Sequence, residues 1–301
     1  MVEGIVLKNL STNVTLELDK VTTLYYILDS VDWGQITSTH HSFKYVNQVG
    51  KYVTGTSLET RDVNITGWVI AKSEAQMTQR KNFLNRFVNP QQVMEISYKN
   101  YILDFLPDTS IKYSAVIKEN NDVVCKFSIV GTAFDPLFRD AVEGKIEAAS
   151  TTSLFHFPLM IGGTELGYPT VMFGTRTPSL IINVYNAGAV STGMRMVFRA
   201  KGTVINPSII NVETQEFFKI NKTLSAGEQV VVETATGEKK VVGSLNGGAE
   251  ENYFKYRDLD STWLQLAVGD NLFRYDAERN LDGLEVYIYS YNRYLEVQEC
   301  C

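Results

Sequence analysis

Histidines and cysteines are the first side chains to test for chemistry, because they supply many of the nucleophiles, general bases and zinc ligands of proteins. The chain of 301 residues contains three histidines, His40, His41 and His156. His40 and His41 are adjacent, so their side chains diverge on an extended backbone and do not converge on a metal or a substrate. We interpret them as a polar loop pair.

The three cysteines, Cys125, Cys300 and Cys301, form no disulfide framework and no CxxC pair for zinc. Two adjacent cysteines at a chain end cannot cross-link a fold. We therefore predict free thiols, with Cys125 as a small core residue.

Motifs that would indicate an enzyme are missing from the sequence. It contains no nucleophile elbow, no phosphate-binding Walker loop, no dinucleotide-binding glycine turn and no HExxH zinc motif. The sequence therefore predicts a protein that is not an enzyme and uses no cofactor or metal. One alternative stays open: among 34 acidic residues, two could lie at the spacing of a glycosidase pair, if a cleft holds them.

A row of tyrosines is the strongest candidate contact site. In the run EVYIYSY, Tyr287, Tyr289 and Tyr291 fall on one face of a predicted strand, and Val286 and Ile288 fall on the other. Such a row could stack against sugar rings or contact a partner protein. The interpretation we favour is aromatic packing between neighbouring strands of the sheet.

Charge and hydropathy exclude two classes of partner. The formal charge is −6, divided into −1 for residues 1–140 and −5 for residues 141–301, so neither half has the basic face that nucleic acid requires. No run approaches the roughly 20 apolar residues that span a bilayer, and the amino terminus lacks an export signal. We expect folding in a cytosol, without membrane insertion.

The second half of the chain is predicted to be a β-sandwich. Its clearest element is Glu228–Gly243, a β-hairpin in which Val230 and Val232 share one face and a glycine-containing loop joins the strands. Four further strands are predicted around it: Ser179–Tyr185, Gly193–Ala200, Trp263–Leu266 and Leu284–Tyr291.

The first half is predicted to be a β-sheet domain with one helix. Val2–Leu18 fits a leading hairpin, and an irregular excursion from the sheet follows at His40–Gly55. Arg61–Ile70 alternates as a strand does, and Ser73–Asn89 is an amphipathic helix with Ser73 as its N-cap. Three strand-like runs follow it: Gln92–Tyr98, Tyr101–Leu106 and Val123–Val130.

Asp135-Pro136 ends the last of these strands, because proline cannot donate to a ladder and restricts the residue before it. We therefore predict three segments: a domain over residues 1–140, a connector over 141–178 that is rich in Gly and Pro, and a second domain over 179–301.

Taken together, these segments resemble the distal tail protein (Dit) family of tailed bacteriophages with long non-contractile tails. The resemblance rests on ordered short motifs across nearly the whole chain: RDVNITG at 61–67, FVNP at 87–90, MEISY at 94–98, CKFSIV at 125–130, PSLIINVYNAG at 178–188, MVFRAKG at 196–202, PSIIN at 207–211 and WLQLAVGDN at 263–271. No single motif is specific; their order, with Asp135-Pro136 at mid-chain, carries the resemblance.

The resemblance implies a non-enzymatic hub in the virion. The first domain, split-barrel-like with one packed helix, would form a ring at the tail tip, a homohexamer in this family. The second would be a galectin-like, carbohydrate-module-like β-sandwich that faces outward. Implied partners are the chain itself, the tail tube protein, the tail-tip protein and receptor-binding components, after synthesis in the host cytoplasm. The alternative is a lectin-like protein that binds host cell-wall carbohydrate, which leaves the first 140 residues without a role.

We expect the ring contacts to come from exposed β edges of the first domain and from an apolar patch at Tyr25, Tyr26 and Trp33.

Overall fold

The computed structural model describes residues 4–20, 25–119, 122–147, 149–153, 174–178 and 181–297. The chain forms two units. Unit 1 comprises Met1–Ala141 together with Tyr294–Cys301, and unit 2 comprises Val142–Arg293. The predicted mainly β fold, with one packed helix and a C-terminal sandwich, is confirmed.

The elements follow in chain order. Unit 1 contains β1 (Gly4–Asn9), β2 (Thr15–Asp19), β3 (Tyr26–Asp32), β4 (Ser38–Phe43), β5 (Tyr52–Leu58), β6 (Arg61–Ala71), α1 (Glu74–Phe87), β7 (Met94–Tyr98), β8 (Tyr101–Pro107), β9 (Lys112–Tyr113), β10 (Ile117–Glu119), β11 (Asp122–Ala133) and β12 (Phe138–Asp140). The later strands are β13 (Gly144–Glu147), β14 (Ala149–Ser153), β15 (Gly174–Pro178), β16 (Ile181–Asn186), β17 (Arg195–Ala200), β18 (Val204–Asn211), β19 (Phe217–Lys219), β20 (Thr223–Leu224), β21 (Glu228–Glu233), β22 (Lys240–Leu245), β23 (Glu251–Asn252), β24 (Gly269–Arg279), β25 (Leu284–Ser290) and β26 (Arg293–Tyr294). Two 3₁₀ turns occupy Phe254–Tyr256 and Leu281–Gly283, and none of the described helices is long and apolar enough to cross a membrane.

The main sheet of unit 1 closes into a barrel. Strands β11, β6, β3, β2, β1, β7 and β8 lie side by side in that order, and β11 also pairs with β8. At this seam Thr132 pairs with Leu106. Pairing is sparse at two places among the described residues, since β2 pairs with β3 only at Asp19 and Ile27, and β11 pairs with β8 at two positions. Ring contacts at exposed β edges therefore stay a prediction.

The core of unit 1 follows from two periodicities. Along β6, residues from Arg61 to Ala71 are buried at every second position, as the alternation in the sequence predicts. Helix α1 begins after Ser73, whose hydroxyl accepts the Gln76 N–H, and it buries one stripe against β6 and β11. That stripe is Met77, Leu84 and Phe87.

A buried asparagine joins this helix to the first hairpin. The Asn9 side-chain amide donates to the Phe87 carbonyl at 2.8 Å, and its oxygen accepts the N–H groups of Ser11 and Thr12. One side chain therefore closes the β1–β2 turn and satisfies a carbonyl at the helix end.

Unit 2 is a sandwich of two antiparallel sheets. One sheet has the order β13, β25, β17, β21, β22, β23, and the other has β16, β24, β18, β19, with β20 also paired to β18. The core between them includes Phe198, Val230, Val232, Phe273 and Val286. Val230 and Val232 point inward, as predicted for the β21–β22 hairpin.

Three asparagines in the motifs of this half hold its loops. Asn186 donates to the carbonyls of Val190 and Leu266, and Asn271 donates to the carbonyls of Val184, Ala267 and Gly269. Asn211 accepts two N–H groups of the following turn. All three are buried, so these motif residues are structural.

The structure differs from the sequence prediction at several places in the second half of the chain. Trp263–Leu266 is not a strand; it makes only an isolated bridge between Leu266 and Thr192 among the described residues. β24 was missed. Part of the predicted connector is β13, which pairs with β25 in the sandwich. The second domain was predicted to run to residue 301, whereas the chain from Tyr294 is grouped with unit 1.

Candidate interaction surfaces

The predicted tyrosine row lies on the outer face of the six-stranded sheet. Tyr287 and Tyr289 in β25 are half-buried and alternate with the buried Val286 and Ile288. Tyr291 follows the end of the strand. Two of the three tyrosines therefore share a strand face.

Positively charged side chains lie against the rings of both strand tyrosines. The Lys145 ammonium is 4.6 Å from the centroid of the Tyr287 ring, and the Arg195 guanidinium is 4.3 Å from that of Tyr289. Both cations come from strands that flank β25, because Lys145 and Arg195 each pair with Tyr289 in register. Both rings are therefore engaged by cation–π contacts within the unit.

Carboxylates fix the arginine in this position. Arg195 makes a two-point hydrogen-bonded contact with Glu143 and lies 3.8 Å from Glu233. Burial alone lowers the pKa of the Arg195 guanidinium, but these carboxylates outweigh it, so the pKa lies above its usual value. Burial raises the pKa of the Glu233 carboxyl. The charged layer over Tyr289 is therefore held by several mutual contacts.

Tyr287, at the other end of the row, is also held by a hydrogen bond. The Tyr287 hydroxyl donates to Glu285 at 3.1 Å, and the buried Glu285 carboxylate lies 2.6 Å from the Lys201 ammonium. The result is an ordered aromatic and charged surface. Such a surface fits contact with another protein, because protein–protein interfaces are enriched in aromatic and arginine side chains.

The predicted apolar patch in unit 1 is not a surface patch. Trp33 is partly buried and packs against the barrel core, with its ring 5.7 Å from that of Tyr98 and 5.4 Å from that of Phe138. Tyr26 is half-buried and donates its hydroxyl to the Arg80 carbonyl. Tyr25 alone is exposed, and the Arg80 guanidinium lies 3.7 Å from its ring centroid. The expectation that these three residues form one docking patch was wrong, because the chain turns Trp33 inward at the end of β3.

An exposed hairpin was missed by the sequence reasoning, which treated His40–Gly55 as irregular. β4 and β5 pair only with each other and form a two-stranded sheet of their own among the described residues. Val46 and Val49 at its tip are 93% and 99% exposed. Beside them Phe43 contacts Tyr45 edge-on and stacks on Tyr52. The valines and aromatic residues of this run indicate strands. Its length and its polar first residues favour an irregular segment instead, which is why the hairpin was missed.

The side chains tested first for chemistry have structural surroundings. His40 lies on the exposed β4, where its ring nitrogen is 3.2 Å from the Thr56 hydroxyl, and Cys125 is buried with its thiol donating to the Ser114 carbonyl. No group of His, Cys, Asp or Glu in the described part of the chain is arranged to hold a metal ion. His156, Cys300 and Cys301 lie outside the described residues.

A groove of about 520 Å³ lies beside the end of α1, lined by Asn85, Val88, Asn89, Pro90, Ser110, Ile111 and Tyr113. The Tyr113 hydroxyl donates to Asn85 at 3.0 Å, and burial raises the pKa of this phenol. None of the lining side chains is a carboxylate, a histidine or a cysteine, so the groove holds no acid–base pair.

Two family models match the sequence. The model for the siphovirus-type tail component, C-terminal domain, matches residues 187–291, and the model for the phage tail protein RIFT-related domain matches residues 21–113. No curated protein sequence matches the chain.

Solved structures match over nearly the whole chain. One is the Dit protein (gp 19.1) of phage SPP1, at 12% identity over 96% of this chain and 98% of that chain, with a TM-score of 0.65. Another is a chain of the phage P2 baseplate in its activated conformation with Ca, at 10% identity over 97% of this chain and 98% of that chain, with a TM-score of 0.54. At these identities the likeness is one of fold.

Proposed function

We propose that this chain, which belongs to the distal tail protein family of siphophages, is a structural hub of a phage tail. One observation carries the proposal: each half of the chain matches a phage tail model, in an order that also fits the fold of a whole solved Dit protein. That SPP1 protein is described as a paradigm of the hub adsorption apparatus in phages that infect Gram-positive bacteria.

The hub role has a specific assembly. Unit 1 associates head-to-tail into a closed ring, a hexamer, that joins the tail tube to the tail-tip protein, and unit 2 faces outward. The barrel supports this role, because a packed β-barrel is a compact block that can repeat around an axis. The finished protein resides in the virion tail after synthesis in the host cytoplasm.

The role requires no catalysis. Buried charged groups are used in structural contacts, such as Arg61 with Glu296 in unit 1 and Glu228 with Lys222 in unit 2. The groove beside α1 offers no acid–base pair. We therefore propose a protein that is not an enzyme and that acts through its surfaces.

Unit 2 presents a protein-docking surface for receptor-binding components of the tail. The outer face around Tyr287 and Tyr289 supports this proposal, because its rings carry cations of the same unit and its carboxylates order the layer. The family resemblance implies a galectin-like sandwich, and likeness of a scaffold does not by itself confer sugar binding.

The assembly is tested by light scattering and negative-stain imaging of the purified full chain. We expect a particle of several copies with a ring outline and a central opening. A chain that stays monomeric at tens of micromolar, the order of magnitude for a specific interface, would contradict the ring.

The docking role of unit 2 is tested by titrating the full chain with cell-wall glycans of Gram-positive bacteria. We expect no saturable binding with a Kd below about a millimolar, which corresponds to roughly 4 kcal/mol. Saturable binding that disappears in Tyr289→Ala, but not in Tyr185→Ala, would overturn it in favour of the lectin-like alternative. Tyr185 is an exposed tyrosine of the opposite sheet and serves as the matched control.

A further inference from the structure

Unit 1 contains buried polar atoms that the protein itself leaves unpaired. In the part of the chain that the structure describes, three buried side-chain atoms have no hydrogen-bond partner in the protein: Trp33 Nε1, Arg61 Nε and the Tyr98 hydroxyl oxygen. A buried polar group without a partner costs stability, and such groups are few in folded proteins. Each of these atoms therefore requires a physical explanation.

The three side chains that carry these atoms are neighbours. The Trp33 ring lies 5.7 Å from that of Tyr98, and the Trp33 carbonyl accepts a hydrogen bond from the Arg61 guanidinium at 3.4 Å. The Phe138 ring contacts two of them, because its centroid is 5.4 Å from the Trp33 ring and 4.6 Å from the guanidinium carbon of Arg61. Trp33 follows β3, Arg61 begins β6, Tyr98 ends β7 and Phe138 begins β12. The unpaired atoms therefore form one cluster, which is built from the ends of strands.

The chemistry of these atoms calls for a ligand that accepts hydrogen bonds. An indole N–H and an arginine Nε–H only donate, and a phenol hydroxyl can donate as well. The cluster also holds a positive charge. The Arg61 side chain is fully buried, whereas its ion-pair partner Glu296 lies 3.5 Å away and is 63% exposed. A negatively charged acceptor would pair the donors and also compensate the buried charge, which a water molecule would not do.

We propose that this cluster binds a small monovalent anion of the size of chloride, which accepts hydrogen bonds from the Trp33 indole, the Arg61 Nε–H and the Tyr98 hydroxyl. The anion connects the ends of three strands. It also stabilises the end of the chain on unit 1, because the Leu295 carbonyl and Glu296 contact the same guanidinium. The site belongs to unit 1 alone and does not depend on the proposed ring.

Thermal unfolding of the full chain in different salts tests the site. A Trp263→Phe background leaves Trp33 and Trp68, both in unit 1, as the fluorescent reporters. The sodium concentration is fixed, and chloride replaces gluconate, an anion too large for a buried site. We expect the melting temperature to rise with chloride and to level off about 3 °C higher or more, since a ligand that binds only the folded state stabilises it.

A matched pair of variants separates this site from general salt effects. Tyr98→Phe removes one proposed donor and retains the ring, so most of the rise with chloride should disappear. Tyr26→Phe is the control: it removes a hydroxyl that donates to the Arg80 carbonyl, and it should retain the full rise. Crystals grown in sodium bromide should show anomalous density at hydrogen-bond distance from Arg61 Nε and Trp33 Nε1.

Four results would overturn the anion site. The first is a rise with chloride that is equal in the wild type and Tyr98→Phe. The second is a Tyr98→Phe variant that melts above the wild type in every salt, because its hydroxyl would then be unpaired. The third is a wild type that does not respond to chloride and is destabilised by Tyr98→Phe, which would assign the cluster to a bound water molecule. The fourth is bromide density without any response of the melting temperature, which would be an adventitious ion only.

Discussion

Arg61 shows most clearly how one residue ties distant parts of the chain together. It is the first residue of β6 and is fully buried. Its guanidinium donates to the Trp33 carbonyl at 3.4 Å and to the Leu295 carbonyl, lies 3.5 Å from Glu296, and is 4.6 Å from the centre of the Phe138 ring. Burial lowers the pKa of this guanidinium, and the charge of Glu296 opposes that change. A buried arginine with such partners is costly to remove, because its hydrogen bonds and its contact with the Phe138 ring are lost and a cavity remains.

We therefore expect Arg61→Ala to lower the free energy of unfolding of unit 1 by about 3 kcal/mol, from lost hydrogen bonds and from the cavity that remains. Denaturant unfolding followed by tryptophan fluorescence measures it. Arg86→Ala, at an exposed arginine of α1, is the control and should change stability by less than about 0.5 kcal/mol. Equal stability of the two variants would show that the Arg61 contacts contribute nothing net.

In unit 2, Glu228 is likewise a buried charged residue held by several hydrogen bonds. Its carboxylate accepts from the Lys222 ammonium at 2.5 Å, the Tyr253 hydroxyl at 2.9 Å and the Ser225 N–H at 2.9 Å. The Tyr253 ring reaches it because Gly243 has no side chain, and a Cβ there would clash with the ring. Burial alone raises the pKa of the Glu228 carboxyl, but these donors outweigh it and hold the pKa below its usual value.

A lowered carboxyl pKa stabilises the folded state above the usual glutamate value of 4.5, and that contribution is lost as the pH falls through the folded value. We expect Glu228→Gln to lower the free energy of unfolding by about 2 kcal/mol at pH 7, the order of magnitude for one charged hydrogen-bonded group. The loss of stability between about pH 5 and pH 3 should also be smaller than in the wild type. Urea unfolding at several pH values, followed by the fluorescence of Trp263, measures both effects. Glu213→Gln, at an exposed glutamate, should leave both unchanged. An unaltered pH profile in Glu228→Gln would mean that other carboxyls govern the acid dependence.

At the scale of elements, the sequence predicted the helix and strands whose formation depends on residues close together in the chain. The cap at Ser73, the stripe of α1, the alternation of β6 and the β21–β22 hairpin all lie where the sequence placed them. β24 could have been found as well, since buried Asn271, Phe273 and Tyr275 alternate along it with exposed Asp270, Arg274 and Asp276.

What the sequence could not supply depends on contacts between distant residues. Arg61 resembles any polar residue at the start of a strand until Leu295, 234 positions later, supplies its acceptor. Trp33 resembles a surface aromatic until Tyr98 and Phe138, distant in the sequence, pack against its ring. Tyr287 and Tyr289 were placed on one strand face, but the cations over their rings come from β13 and β17, and no local spacing reveals that pairing.

The helix gives the prediction that belongs to this scale. Leu84 is fully buried on the stripe that packs against the barrel, so Leu84→Ala should cost about 2 to 5 kcal/mol through lost contacts and a residual cavity. Thermal unfolding of the full chain measures it. Asn82→Ala, on the exposed side of the same helix, should be neutral or slightly stabilising, because alanine is the better helix former. A wild-type melting temperature in Leu84→Ala would show that this stripe does not contribute to the core.

At the scale of the whole molecule, the end of the chain belongs to the unit that contains its beginning. The Tyr294 ring lies 5.3 Å from that of Tyr101, and Val297 packs against the unit 1 core. The Arg61 guanidinium is capped by Leu295 and Glu296. A fragment that ends near residue 140 therefore lacks part of the fold of unit 1, and assembly of the proposed ring is properly tested on the full chain.

We expect a chain cut after Arg293 to lose stability in unit 1 specifically, because four residues that complete its core and cap a buried charge are removed. In a Trp263→Phe background, the remaining tryptophans, Trp33 and Trp68, lie in unit 1 and report on it alone. The fluorescence-detected melting temperature should fall by about 5 to 10 °C, the shift that roughly 3 kcal/mol produces in a unit of this size. A chain cut after Val297 retains the four residues and is the matched control, which should melt within about 1 °C of the full chain. If both truncated chains melt together with the full chain, residues 294–297 rest on unit 1 without stabilising it, and a fragment that ends near residue 140 becomes a valid test of the ring.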